Sequence, residues 1–267
     1  MTRLVLKAEP PVRVALDGLI PERLAALSPA EIGRLPLAVG NRRELVGDWF
    51  RVESGDPAQM EIEGDCRRLD RIGAGMSTGS ITVTGDAGAY LGIGMSGGTL
   101  SVAGAAGFGA ATELRGGIVR IGGNAGDALG GSLPGAASGM RGGTVIVAGN
   151  AGAQAGQRLR RGLVVIVGNA GAACGAEMIA GTVVLGGSIG VHLGVAMRRG
   201  SIIALGGAAR IGPTFGDCGV HDLLIVKLLA RHLAALGLGA LAGRLGPLRR
   251  WMGDAAVAGK GELLLGT

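Results

Sequence analysis

Six arginines offer the clearest chemistry in this chain. Arg115, Arg141, Arg160 and Arg198 recur at matching places in a repeating pattern, and Arg161 and Arg199 follow two of them directly. Arginine presents a planar fork of donors suited to carboxylate and phosphate. Among 26 basic residues only Lys7, Lys227 and Lys260 are lysines, and the formal net charge is +6. This balance points to an anionic ligand or an acidic partner surface. The plainer alternative is a composition biased towards Arg, Gly and Ala.

Other chemistry is sparse. His192, His221 and His232 are well separated and lie in no metal spacing. Cys66, Cys174 and Cys218 form no C-x-x-C pair, which leaves zinc, iron–sulfur clusters and a disulfide framework unsupported. Cys174 and Cys218 read as small interior or turn residues rather than nucleophiles. No G-x-S-x-G, H-E-x-x-H or P-loop is present. A G-x-G-x-x-G can be forced around Gly92 and Gly94, but it carries no information in a chain with 55 glycines. The expectation is therefore no catalytic residue and no metal on this chain.

The elements that must position the arginines are repeats. Units open at Gly79, Gly98, Gly117, Gly143, Gly162, Gly181 and Gly200, as in GTVIVAGNAG (143–152) and GLVVIVGNAG (162–171). The spacing is 19 residues, except for one gap of 26 that holds an insertion within 130–139. A degenerate unit, MEIEG (60–64), precedes them. The second and fourth residues after each leading glycine are aliphatic, as in Ile81 and Val83 or Val145 and Val147, which is strand periodicity. A period of 19 suits one turn of a β-helix, and the G-[DN]-A-G corners are expected to supply positive φ and close backbone approach.

Three columns follow. Met76, Met95, Leu114, Met140, Leu159, Met178 and Met197 stand three residues before each leading glycine and read as interior packing. The next column, Ser77, Ser96, Arg115, Arg141, Arg160, Ile179 and Arg198, forms an arginine stripe along one edge. Stacked like charges repel, so the stripe is either a row of solvated turn residues or an anion track. The outward column is polar at Thr82, Ser101 and Arg120 and apolar at Ile146, Val165, Val184 and Ile203. An apolar outer wall needs a cover, either the chain's own C-terminal helix or another subunit.

The flanks differ from the repeats. Residues 1–57 form an N-terminal capping segment of strands and a short helix, with Ser28 and Glu31 as a capping box. The solenoid spans 58–218. Residues 219–267 hold a helix over 222–237, with an apolar face through Leu223, Val226, Ala230 and Leu233, then a short terminal strand. No signal peptide or membrane-spanning run is evident, so a cytoplasmic location is expected. With few aromatics and no recognised module, neither a nucleic-acid nor a membrane partner is expected.

The run 139–187, with LPLAVGNRRELVGDWFRV (35–52) and GDAAVAGKGELLLG (253–266), resembles the C subunits of formylmethanofuran dehydrogenase and of the bacterial formyltransferase/hydrolase complex. The repeats alone also resemble the C-terminal domain of the glutamate synthase large subunit, a right-handed β-helix without catalytic residues. The resemblance implies an all-β fold, a right-handed parallel β-helix of seven to eight coils, serving as a non-catalytic scaffold. It implies a hetero-oligomer with an amidohydrolase-like hydrolase, a formyltransferase and a chain like the dehydrogenase's B subunit, in tetrahydromethanopterin-linked one-carbon metabolism. It implies no cofactor on this chain, but a methanofuran-type carrier with a polyglutamate tail in the complex; the arginine stripe, read as an anion track, would hold that tail. A molybdenum or tungsten formylmethanofuran dehydrogenase is the alternative assembly, and a glutamate-synthase-like structural domain is another.

Overall fold

The computed structural model describes residues 1–208 and 210–266; Ala209, which ends the seventh unit, and Thr267 lie outside that description. The chain is mostly β. Thirteen strands join one sheet, and seven of them come from the repeats: Ser80–Val83, Thr99–Val102, Ile118–Ile121, Arg141–Val147, Arg161–Ile166, Thr182–Leu185 and Ser201–Ala204. Each pairs in parallel with the strand of the next repeat. Ile81, Leu100, Val119, Val145, Val164 and Val183 share one register and have no exposed surface. Each such side chain contributes about 1.5–3 kcal/mol by leaving water.

A second parallel ladder runs through the corners, bridging Cys66, Ala87, Ala106, Ala125, Ala151, Ala170, Ile189 and Ala208 in turn. The corner does not work by positive φ, as the sequence suggested. Positive φ falls on the leading glycines instead, +80° at Gly79 and +100° at Gly200. At the corner glycine is required by crowding. A Cβ on Gly149 would lie 2.7 Å from the carbonyl oxygen of Gly123 in the repeat before. The corner Asn and Asp tie the stack together: Asn150 N donates to Asn124 Oδ1, Asn169 N to Asn150 Oδ1, and Ser188 N to Asn169 Oδ1, each at 2.8 Å.

The flanks join the same sheet. Thr2–Leu6 lies parallel to Gln59–Glu63 and antiparallel to Phe50–Glu53, and it places Leu4 in the common core. Ser28 caps the helix Pro29–Gly33 with the reciprocal Glu31 bond. A smaller sheet of four short strands packs on this end, including the hairpin of Pro36–Val39 and Arg42–Leu45. At the other end Gly261–Leu265 is parallel to Ser201–Ala204, with Leu263 opposite Ile202. The short terminal strand expected from the sequence is therefore one more rung of the stack. Leu248–Gly253 and Gly216–His221 follow antiparallel.

Candidate anion groove and outer wall

The third side of each repeat is built from residues with left-handed backbone, and this aims the groove side chains. Arg158 has φ 52° and Glu177 φ 55°. The Arg158 guanidinium pairs with Glu177 at 2.8 Å and donates to the Ala136 carbonyl at 2.9 Å, which fastens the inserted loop. Segment 131–138, where the repeat gains its extra residues, carries no strand.

Three hollows meet along this edge. One of about 350 Å³ lies against Leu133 and Pro134 of the inserted loop and is walled by Tyr90 and Phe108. Those rings meet edge to face, with centroids 5.5 Å apart. The next, about 320 Å³, shares Arg158 with the first and reaches Arg198 and Ile179. The last, about 380 Å³, lies among Arg160, Arg161, Arg198 and Arg199 around Ile179 and Ala180. All four arginines are exposed, and none has a carboxylate within ion-pair reach among the described residues. Four uncompensated guanidinium groups around one hollow favour an anion with several negative charges.

Arg115 and Arg141 are not among the residues that line this hollow. Arg141 donates to Ser138 Oγ at 3.0 Å. The column drawn from the sequence set Arg141 beside Arg160, but the structure sets it beside Arg161. An irregularity between Arg141 and Thr144 shifts the register by one residue there, and Thr144 returns to its expected partner Leu163. Arg141 thus adjoins the hollow through Arg161 without lining it. Arg158, which joins the hollows, escaped the sequence reading because it lies outside the column; its pairing across the 19-residue period with Glu177 was the available signal.

The outer wall has a cover from its own chain. Ile146, Val165, Val184 and Ile203 are buried beneath Val226 and Leu233 of the helix Leu224–Ala235 and beneath Leu241 and Leu248. Leu264 of the last rung extends the same column. Gly237, at φ +86°, ends the helix, with Leu238 N returning to Leu233 O at 2.9 Å. Arg120, the last polar residue of the outward column, donates to the Leu236 carbonyl at 3.3 Å. A cation there also complements the helix C-terminus.

Among the described residues no group of three or more His, Cys, Asp or Glu is placed to hold a metal ion. Burial pushes the Cys174 thiol up to about 12. Burial, with the Asp65 charge second, does the same for Cys66. Neither is a ready nucleophile. No helix is long and apolar enough to cross a membrane among the described residues.

No family model matches the chain. It is 53% identical to the C subunit of the formyltransferase/hydrolase complex Fhc of Methylorubrum extorquens, over 265 residues that cover 99% of both chains. This chain belongs to the family of Fhc C subunits. In space it superposes with a TM-score of 0.95 and 43% identity, covering 99% of each chain, on the crystal structure of the formyltransferase/hydrolase complex FhcABCD from Methylorubrum extorquens, solved with methylofuran. The C subunits of formylmethanofuran dehydrogenases are related more narrowly. That of the tungsten-containing enzyme 2 of Methanococcus maripaludis is 38% identical over 90 residues, a third of each chain. Likeness to the Fhc family thus extends through both flanks, whereas the match to this dehydrogenase chain covers a third of the length.

Proposed function

We propose that the chain is the non-catalytic C subunit of a cytoplasmic formyltransferase/hydrolase complex in tetrahydromethanopterin-linked one-carbon metabolism. Its partners in this reading are an amidohydrolase-like hydrolase, a formyltransferase and a chain like the dehydrogenase's B subunit. The observation that carries the reading is the full-length likeness to the Fhc C subunit, at 53% identity with both flanks included. A molybdenum or tungsten dehydrogenase is less favoured, because the match to the Methanococcus maripaludis tungsten enzyme spans a third of the chain.

The repeats wind in this reading as a right-handed parallel β-helix, supported by the two parallel ladders on different sides and by the right-handed preference of parallel crossovers. Residues 1–57 cap one end, 58–218 form the solenoid, and 219–267 supply the helix over the wall and the terminal strand that adds a last rung. The anion hollow gives the scaffold a binding role. Arg160, Arg161, Arg198 and Arg199 hold the anionic part of a methanofuran-type carrier, and Arg115 and Arg141 extend the basic edge. The support is four exposed, unpaired guanidinium groups around one space. Affinity purification of the tagged chain from its host, with mass spectrometry of what co-elutes, tests the proposal. Hydrolase and formyltransferase chains are expected; elution alone, or with a molybdopterin or tungstopterin protein, overturns it.

A further inference from the structure

The helix that covers the outer wall is apolar on its far side as well. Val226 and Leu233 face the wall and are buried, yet Leu224, Ile225 and Leu228 are 71%, 61% and 48% exposed. Their spacing places Leu228 one turn from both Leu224 and Ile225, so the three form one patch. Val220, in the strand just before, is 55% exposed. A helix that is apolar nearly all round is ordinarily buried. Beside the patch a cleft of about 190 Å³ opens between helix and sheet, lined by Ile225, Leu228, Leu229, His232, Ile203 and Leu264. That volume accepts one large apolar side chain.

Within the helix the formal charges, Lys227 and Arg231, are both positive. The 12 residues Leu224–Ala235 include Lys227, Arg231 and His232 and no carboxylate. Asp222, just before the helix, is engaged by Lys227 at 2.6 Å. Arg231 forms no ion pair among the described residues.

We infer that the outer face of this helix is a docking surface for one of the other proteins of the complex, which inserts an apolar side chain into the cleft and surrounds it with carboxylates. The inference rests on the complex proposed above. An apolar centre with a charged rim is the usual anatomy of such contacts, and rim charges choose the partner. Burying the patch also removes the large exposed apolar area that an isolated chain would present.

The test uses the co-expressed complex. Leu224→Glu with Leu228→Glu places two carboxylates on the patch without touching the buried face. Retention of the other subunits on the tagged chain is expected to fall at least about tenfold, the scale of a centrally placed contact. Leu224→Lys with Leu228→Lys is expected to weaken retention clearly less, because the partner's rim is acidic. Arg231→Glu weakens it and Arg231→Lys leaves it intact. Melting temperatures of the isolated variants show that the fold persists; if the Glu pair unfolds the chain, Leu224→Gln with Ile225→Gln replaces it. Unchanged retention in the Glu pair overturns the inference, as does equal loss in the Glu and Lys pairs. So does an isolated wild-type chain that is a dimer dispersed by the Glu pair, since the face then joins two copies of this chain. A wild-type chain that retains none of the other proteins sinks the complex reading itself, and this surface with it.

Discussion

The Cε of Met178 lies 2.7 Å from the place a Cβ would take on Gly200, in the following repeat. The Gly181 carbonyl oxygen is equally close to that place, and Gly200 has φ +100°. The methionine ladder and the leading glycines are therefore one packing device: each long side chain fills the space that the missing Cβ leaves.

Gly200→Ala should therefore cost at least about 2 kcal/mol through strain and collision. Met178→Ala should cost about 2–5 kcal/mol as a core truncation. The double variant should not recover the alanine penalty, because the Gly181 carbonyl still blocks the methyl. Denaturant melts of the three variants check this; full rescue in the double variant would show that only the methionine enforces glycine.

The corner ladder predicts a ranking. Asn150→Ala orphans the Asn169 N–H and should cost about 1 kcal/mol. Asn150→Asp should cost less, because Asp86 already serves at the equivalent corner, accepting from Ala105 N. Equal losses in chemical denaturation would show that the side-chain acceptor is not what matters.

The covered wall predicts a local failure. Val165 has no exposed surface beneath the helix Leu224–Ala235. Val165→Asp buries an unpaired charge and should release the helix while the stacked strands persist. Hydrogen exchange should show fast amides at 226–236 and slow ones at 81–83 and 100–102. Uniform loss of protection would mean that wall and stack unfold as one unit.

Much of this was legible because strand periodicity survives in every repeat. The inward register of Ile81, Leu100 and Val119 follows from alternation alone, that of Val145 from its place in the repeat, and the Ser28–Glu31 capping box from two residues. The last rung was not legible, because Gly261 and Leu263 return to the stack far outside the 19-residue period. The arginines were visible by type but not by grouping. A local irregularity beside Arg141 slides it opposite Arg161, and Ile179 interrupts the column between Arg160 and Arg198. Which element covers Ile146 and Val165 depends on where the chain turns at Gly237 and on the reach of Arg120 to the Leu236 carbonyl, both long-range outcomes.

The arginine hollow predicts a salt-sensitive loss. Arg160→Glu with Arg199→Glu reverses two of the four charges and should lower carrier occupancy in the purified complex at least about tenfold while the subunits stay together. Occupancy of the wild type should fall as salt rises, since exposed charge pairing is screened. Unchanged carrier content by mass spectrometry would leave these arginines as solvated turn residues.

The central claim is that this chain assembles the complex without supplying a reacting group. Reconstitution from separately purified subunits, with and without this chain, measures it most directly by native mass and by formyl transfer and hydrolysis assayed separately. The account predicts that omission dissociates the assembly while each catalytic protein keeps its own reaction. A full-sized assembly without this chain, or loss of one chemical step in an isolated catalytic protein that addition of this chain alone restores, would contradict it.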